Sequence, residues 1–314
     1  MERPLRLRPP AVLVHGGAGA WQEADLQVSM KEVMKAAEAG MGQARSGSAV
    51  EMVVEAVAYM EDSGAFNAGV GAVLDFTGGI TMDAAVMRGS DRRAGAVAAV
   101  TYPRNPVRLA KAVLENTPHV LIVGQWADTL AKRLGMPRHP GPSQRATDRW
   151  RRLKETAGGQ EGLYRSWFEA ARRLGYDTVG AVAVDLDGIT AAAVSTGGVA
   201  LKLPGRVGDS PIVGAGLYAD PASAFSATGV GEYIIAVGLS LRAAIRYEER
   251  GDIAEAVEHV VGQVTEAFGP GTVGLIGISR DGTAWADFNT RAMPWAAIDE
   301  TGRKVAYSRG DKEA

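Results

Sequence analysis

Two threonines in this chain stand where a hydroxyl could be made to react. "DTVGAVAVDLDG" runs from Asp177 to Gly188 and "GTVGLIGISRDG" from Gly271 to Gly282. Both read Thr-Val-Gly, an apolar run, then Asp-Gly at one offset, Thr178 to Asp187 and Thr272 to Asp281. A threonine hydroxyl is a weak nucleophile and needs a base. Its own α-amine can be that base if the chain is cut just before it, since an α-amine titrates at about 7.7–8.0. Such a threonine belongs at the start of a buried strand, behind a segment that can leave. Thr178 has a polar stretch and a short amphipathic pattern upstream and an apolar strand downstream. Thr272 follows "AFGPGTVG", a tight exit from a helix with nothing to release. Taken alone, each reads more safely as an ordinary strand-start threonine.

Other chemistries find less support. No cysteine is present, which excludes disulfides, thiol catalysis and cysteine-bound zinc. The four histidines, His15, His119, His139 and His259, lie in no metal-ligand spacing, and His15 reads as structural. Neither a GxSxG elbow nor a P-loop occurs. "HGGAGA" after a strand is a weak phosphate cradle on its own. The residues after Thr178 are more informative. "STGG" puts Thr196 on the strand expected to pair with that of Thr178. Arg206 and Asp209 stand three apart in the glycine-bounded "LPGRVGDSPIVGAG". Arginine suits a carboxylate and aspartate an ammonium, so the two together suit the charged ends of a free α-amino acid. A surface ion pair is the plainer alternative. "SATGVGE" offers Thr228 and glycine N–H groups at a helix start, either as an oxyanion hole or as a simple N-cap.

The elements that position these groups follow from periodicity. "AVLVHGG" reads as a buried strand, 26–45 as a helix, and Ser48 as the N-cap of a second helix through Tyr59. Residues 62–79 read as a glycine-rich loop, followed by two strands, "ITMDAAVMRG" and "RAGAVAAVTY". Asn105 is expected to cap a helix through about Leu114, with Pro106 at its first position. Residues 135–161 are polar and rich in proline, glycine and charge, the best linker candidate, and "GLYRSWFEAARRLG" after them reads as a short helix. Two hairpins, each opening on Thr-Val-Gly, flank helices at about 230–249 and 252–267. Hairpins with paired helices predict a layered α+β fold. At 314 residues and 46% hydrophobic, the chain can bury a large core. A net charge of −2 argues against nucleic-acid or membrane-surface partners. The start lacks an apolar signal region and no apolar run reaches the ~20 residues of a membrane span, so a soluble cytoplasmic protein is expected.

Together, "HGGAGA", "NAGVGAV", "DTVGAVAVDLDG", "STGG", "GRVGDSPIVGAG" and "TGVGE" resemble the plant-type asparaginase / isoaspartyl aminopeptidase family of N-terminal nucleophile hydrolases, colinearly from about Ala11 to Asn289. The block 177–232 carries the most specific part. The resemblance implies a four-layer αββα sandwich in one domain, self-cleaved between Asp177 and Thr178 into an α chain, 1–177, and a β chain, 178–314, with the linker spanning about 135–177. It implies a dimer of such heterodimers. Thr178 becomes the nucleophile and Thr196 its hydroxyl neighbour. Arg206 binds the substrate α-carboxylate and Asp209 the α-ammonium. Thr228 and Gly229 form the oxyanion hole, and the Gly231 carbonyl meets the α-amine. Asn67 lies close to the active site. No catalytic cofactor is implied, but a structural sodium ion is, held by backbone carbonyls of the 60–70 loop at Met60, Glu61, Ser63, Phe66, Ala68 and Val70. The implied activity is hydrolysis of the side-chain amide of asparagine and of β-aspartyl peptides through a β-aspartyl ester.

The chain departs from the family pattern in places. Asp177 stands before the threonine where glycine is frequent, and an Asp-Thr junction resembles glycosylasparaginases. Ala227 and Val230 replace residues that are more often polar. Two alternatives therefore stay open, a glycosylasparaginase and an uncleaved relative that only binds an amino acid.

Overall fold

The computed structural model describes residues 3–45, 47–156 and 178–308. The helix expected at "GLYRSWFEAARRLG" and the residue before the expected scission, Asp177, lie outside them.

Two sheets carry the fold. The larger has the strand order β13 (Lys304–Tyr307), β12 (Trp295–Asp299), β2 (Ala11–His15), β6 (Val179–Val184), β7 (Thr190–Thr196), β3 (Met82–Arg88), β4 (Ala94–Val100) and β5 (Leu121–Val123). The smaller runs β1 (Leu5–Arg6), β11 (Thr283–Phe288), β10 (Val273–Ser279), β9 (Ser223–Gly229) and β8 (Leu217–Ala219). Neighbours are antiparallel except β4 and β5, which are parallel. The two Thr-Val-Gly hairpins are real but sit in different sheets, β6–β7 in the larger and β10–β11 in the smaller.

Why these strands read as unbroken apolar runs is visible at β6 and β7. Both are buried along their whole length. One set of side chains, Val179, Ala181, Ala183, Ala191 and Ala193, joins an apolar cluster with the helices α1 (Glu23–Gly42), α2 (Ala49–Ser63), α3 (Pro106–Asn116) and α4 (Gly124–Arg133). The alternate set, Val182, Val184, Ala192 and Val194, joins a second cluster with Ala224, Ile276, Ile278 and Ala284 of the smaller sheet. A strand covered on both faces needs apolar residues at every position rather than at every second one. A third cluster packs Phe225, Leu275 and Trp285 of the smaller sheet against α7 (Leu239–Arg250) and α8 (Ile253–Phe268). The short α6 (Gly231–Val237) precedes α7. The architecture is mixed α and β, as expected. Among the described residues no helix is long and apolar enough to cross a membrane.

Three local expectations are corrected. Residues 135–161 are not wholly a linker: Arg138 bridges to Pro103, and Gln144–Thr156 forms a helix, α5. Its buried or half-buried Ala146 and Trp150 are four apart, a helical signal obscured by the surrounding charges. Trp150 donates its indole N–H to the Asp75 carbonyl at 2.8 Å, which docks the helix. Ser48 and Asn105 stand at N-cap positions, but neither side chain caps its helix. Distant carboxylates do so instead. Asp185 accepts from the Ala49 N–H at 3.0 Å, and Glu61 accepts from the Val107 N–H at 3.1 Å. A tertiary acceptor on a rigid strand or helix has displaced the local one, which a single-sequence capping rule does not see.

Asp185 also holds its own hairpin, accepting from Asp187 N at 3.1 Å and Ile189 N at 2.9 Å. Asp185→Ala removes all three bonds. We expect a loss of about 1–3 kcal/mol, measured as a melting temperature several degrees lower; an unchanged melting temperature would contradict this capping account.

Candidate active site

The β6–β7 register pairs Val179 with Ser195, so Thr178 lies one step further, facing Thr196. The Thr178 hydroxyl donates to the Thr196 hydroxyl at 3.3 Å. Thr178 is only 6% exposed. Thr196 also accepts the Gly198 N–H at 2.9 Å, and this turn is tied down by Asn67. The Asn67 amide donates to the Gly198 carbonyl at 2.6 Å and accepts from Val73 N at 2.9 Å, while its backbone carbonyl accepts from Gly197 N at 2.9 Å.

The smaller sheet supplies the second half. Thr228 is the penultimate residue of β9, and its hydroxyl oxygen accepts the Ala18 N–H at 3.2 Å, which leaves the hydroxyl proton to be donated elsewhere. Gly229 has φ +138°, and a Cβ there would stand 2.2 Å from the Thr272 carbonyl oxygen, so only glycine fits this turn. That carbonyl accepts the Val230 N–H at 2.8 Å. Thr272 is therefore a scaffold for the Gly229 turn. Its hydroxyl donates to the Gly269 carbonyl and accepts from Asn289, both at 2.9 Å.

Arg206, Asp209 and Gly231 converge. A Cβ on Gly231 would meet Asp209 Oδ1 at 2.8 Å and Arg206 at 2.9 Å. Asp209 is buried, with Oδ2 lacking any partner among the described residues. Burial pushes its carboxyl up to about 7, against the pull of Arg206. A buried carboxylate with a bare oxygen is suited to an incoming cation. The Arg206 guanidinium is held by Glu232 at 2.9 Å and 2.8 Å.

"HGGAGA" is no phosphate cradle. The Gly16, Ala18 and Gly19 N–H groups already go to the Pro294 carbonyl, the Thr228 hydroxyl and the Ala292 carbonyl. His15 is structural, as read. Its Nε2 lies 3.0 Å from the Ser226 hydroxyl, and burial pushes its pKa down to about 3 although the Thr178 backbone acts the other way. The ring is thus neutral and ties the larger sheet to the smaller. His139 contacts the Gly69 carbonyl at 2.9 Å. Among the described residues no three His, Cys, Asp or Glu side chains gather as a metal site.

The 60–70 loop is shaped by backbone carbonyls. Met60, Glu61 and Ser63 lie in the last turns of α2, Phe66 and Ala68 in the loop, and Val70 in the one-turn helix Gly69–Gly71. A Cβ on Gly71 would stand 2.0 Å from the Phe66 carbonyl oxygen, and one on Gly69 2.6 Å from that of Glu61. The Met60 and Ala68 carbonyls accept from the Ser63 hydroxyl at 2.9 Å and the Gly71 N–H at 3.1 Å. The Glu61 side chain faces elsewhere, accepting from the Ser195 hydroxyl at 2.6 Å.

Sequence reasoning gave no role to Glu232, Ala18 or Lys202. Glu232 sits inside the quoted "TGVGE", and its one cue was an acid in a first helical turn. Ala18 acts through its N–H, which leaves no trace in residue type. Lys202 is a lone charge in "ALKLP", and such a charge among apolar neighbours was the available signal.

A family model described as Asparaginase matches residues 8–307. A plant-type L-asparaginase of Pyrobaculum calidifontis is 48% identical over 287 residues, covering 90% of this chain and 94% of its own. The isoaspartyl peptidase/L-asparaginase of Homo sapiens is 40% identical over 294 residues, covering 93% of this chain and 94% of its own. The isoaspartyl peptidase of Escherichia coli is 40% identical over 317 residues, covering 96% and 98%.

Gly180 lies where the two sheets press together, two residues from Thr178. A methyl there would stand 2.1 Å from the Ser226 oxygen and 2.4 Å from His15 Nε2. Gly180→Ala is expected to cost about 1–3 kcal/mol, as overpacking does; wild-type melting behaviour in this variant would show that the contact yields freely.

Proposed function

Because this chain belongs to the asparaginase family, we propose that it hydrolyses the side-chain amide of L-asparagine and the isopeptide bond of β-aspartyl peptides. The observation that carries this reading is the Thr178–Thr196 hydroxyl pair at 3.3 Å on one sheet, combined with Arg206, Asp209 and Gly231 converging beyond the Thr228 strand on the other. The names of the relatives, asparaginase and isoaspartyl peptidase, point the same way.

In this reading the chain cuts itself between Asp177 and Thr178, giving residues 1–177 and 178–314 of one domain. The freed amine of Thr178 takes the proton of its own hydroxyl, directly or through water. The oxygen attacks the β-carbonyl of the aspartyl group. The Thr228 hydroxyl, whose oxygen already accepts from Ala18, and the Gly229 N–H stabilise the oxyanion. The tetrahedral intermediate collapses, the C–N bond breaks, and the leaving amine takes the proton. Water then hydrolyses the β-aspartyl ester and aspartate departs. Arg206 holds the substrate α-carboxylate, Asp209 its ammonium, and the Gly231 carbonyl accepts a further ammonium hydrogen bond. With both α-groups fixed as charges, the side-chain carbonyl is what reaches Thr178. Thr196, fixed by Gly198 and Asn67, tunes the nucleophile.

The three apolar clusters, helix against sheet, sheet against sheet and sheet against helix, support an αββα sandwich. The glycine-bent carbonyls of the 60–70 loop fit a hard monovalent cation, which would brace the Asn67 loop from behind and take no part in the chemistry. The working molecule is a dimer of heterodimers. A cytoplasmic location suits a chain without cysteine. The Asp177–Thr178 junction favours glycosylasparaginase activity as a second reading. Turnover of N-acetylglucosaminyl-asparagine in preference to β-aspartyl dipeptides would establish it.

The denatured mass of purified protein, with and without a warm incubation, tests self-processing. Wild type should give two fragments with Thr178 as a new N-terminus. Thr178→Ala should remain one chain of 314 residues and lose turnover by at least about 10³-fold; full activity in that variant would end the nucleophile assignment.

Asp209 sets a pH limit. Below about 7 its buried carboxyl takes up a proton and the substrate ammonium loses its partner. kcat/KM for asparagine should therefore fall towards about tenfold per unit as pH drops below that value. A flat profile down to pH 5 would remove Asp209 from the ammonium role.

A further inference from the structure

Lys202 is a charged side chain with only 5% exposure, and the mechanism above does not use it. Its ammonium donates to the Thr81 carbonyl at 2.8 Å. The surroundings are polar and incompletely matched: Asp83 Oδ2 and the Thr81 hydroxyl are buried without partners among the described residues. Asp83 is the residue opposite Thr196 in the β3–β7 register. Burial pushes the lysine down to about 8; Asp83 and Asp75 oppose that shift and Arg206 adds to it. Burying an ammonium is unfavourable unless it is paired or does something.

What it touches points to the task. The lysine stem lies across Gly198, where a Cβ would stand 2.7 Å from Nζ and 2.9 Å from Cδ. Gly198 is the residue whose N–H goes to the Thr196 hydroxyl and whose carbonyl accepts from Asn67. The backbone around the lysine is anchored as well: Phe76 N donates to the Lys202 carbonyl and Leu201 N to the Leu74 carbonyl, each at 2.8 Å. Leu201 has φ +61°, a left-handed conformation that leucine avoids. The chain thus holds a strained residue that aims the next one, Lys202, back over the turn. A lysine serving only to fill space would need neither the nearby carboxylate nor the strained neighbour.

We propose that Lys202 is a positioning residue for hydrolysis, its ammonium fixed by the Thr81 carbonyl with the Asp83 charge nearby, so that the stem clamps the Gly197–Gly198 turn and aims the Thr196 hydroxyl at Thr178. This rests on the reading of Thr178 as nucleophile. Lys202 touches no substrate, so its loss slows chemistry and leaves amino-acid binding by Arg206 and Asp209 intact.

The test is steady-state kinetics on asparagine with processed protein. Wild-type activity and Thr178→Ala inactivity are measured first, because failure there refutes the nucleophile reading itself. Lys202→Met keeps the stem and loses the ammonium. We expect kcat to drop at least about tenfold with KM within about twofold, the pattern of an interaction realised in the transition state. Lys202→Arg restores the charge and should return kcat to within about threefold of wild type. Asp83→Asn leaves Lys202 in place, retains an acceptor for Ala99 N, and removes the nearby charge. It should show the same loss in kcat at constant KM, and it decides the matter if Lys202→Met does not fold. In active wild type, a Lys202→Met or Asp83→Asn variant with unchanged kcat overturns the proposal. So does a loss that appears wholly in KM, or Lys202→Arg as impaired as Lys202→Met.

Discussion

The pairing of β6 with its two neighbours is the constraint on which the site depends. Val179 and Gly180 pair with Ser195 and Val194 on one side, and Gly180 pairs with His15 on the other. Thr178 stands at the open end of a strand gripped along both edges and covered on both faces. A chain break just before it would not free it. The new terminus would stay where the ladder holds it, beside Thr196. A nucleophile placed on a loop would not survive such a cut in position. The same ladder explains why the strand is apolar throughout, since two-sided burial leaves no position for a polar residue except at the end. Thr178 is that end.

Around it the buried polar groups are arranged by function and support. His15 is neutral and joins the sheets. Glu61, which burial pushes up to about 8, bonds Ser195 and the start of α3. Among the described residues Asp209 keeps a buried oxygen without a partner, as do Asp83 and Thr81 near Lys202. His15 Nδ1 and Glu61 Oε2 are unmatched as well among the described residues, but burial holds both groups towards their neutral forms. An unmatched buried charge raises the free energy of the folded protein, and it persists where a ligand or a reaction step can use it.

Much of the fold was legible because its period is unambiguous. The hairpins at 178–196 and 272–288, the helix after "HGG" and the helices after "TGVGE" appear near their expected places, the first of the latter broken at Gly238. The site was legible in its motif residues, because "STGG" and "GRVGD" place particular side chains. Illegible were the contacts made by backbone or across great sequence distance. The caps on α2 and α3 come from Asp185 and Glu61, 136 and 46 residues away. The oxygen of Thr228 is oriented by the N–H of Ala18, 210 residues away. No local pattern encodes such partners. The helix over Gln144–Thr156 was missed for another reason: its charge density imitates a connector, and its apolar contacts are few.

The echo between the two Thr-Val-Gly hairpins has a physical origin that separates their roles. Each tripeptide opens a buried strand, where a small β-branched residue and a glycine let the opposite layer approach. In β6 the glycine is pressed by Ser226 across the gap between sheets and by His15 of the neighbouring strand. In β10, Gly274 lies against Met293 and Ala18. Close approach is the shared requirement, and it accounts for the shared tripeptide without any shared chemistry. The two threonines then diverge by what their hydroxyls meet. That of Thr272 is engaged on both sides by Gly269 and Asn289, and its carbonyl braces the Gly229 turn. Among the described residues, that of Thr178 meets one other hydroxyl, which is itself held by the turn beneath it. A hydroxyl locked between a carbonyl and an amide is a strut. One that shares its proton with a single neighbour can still give it up.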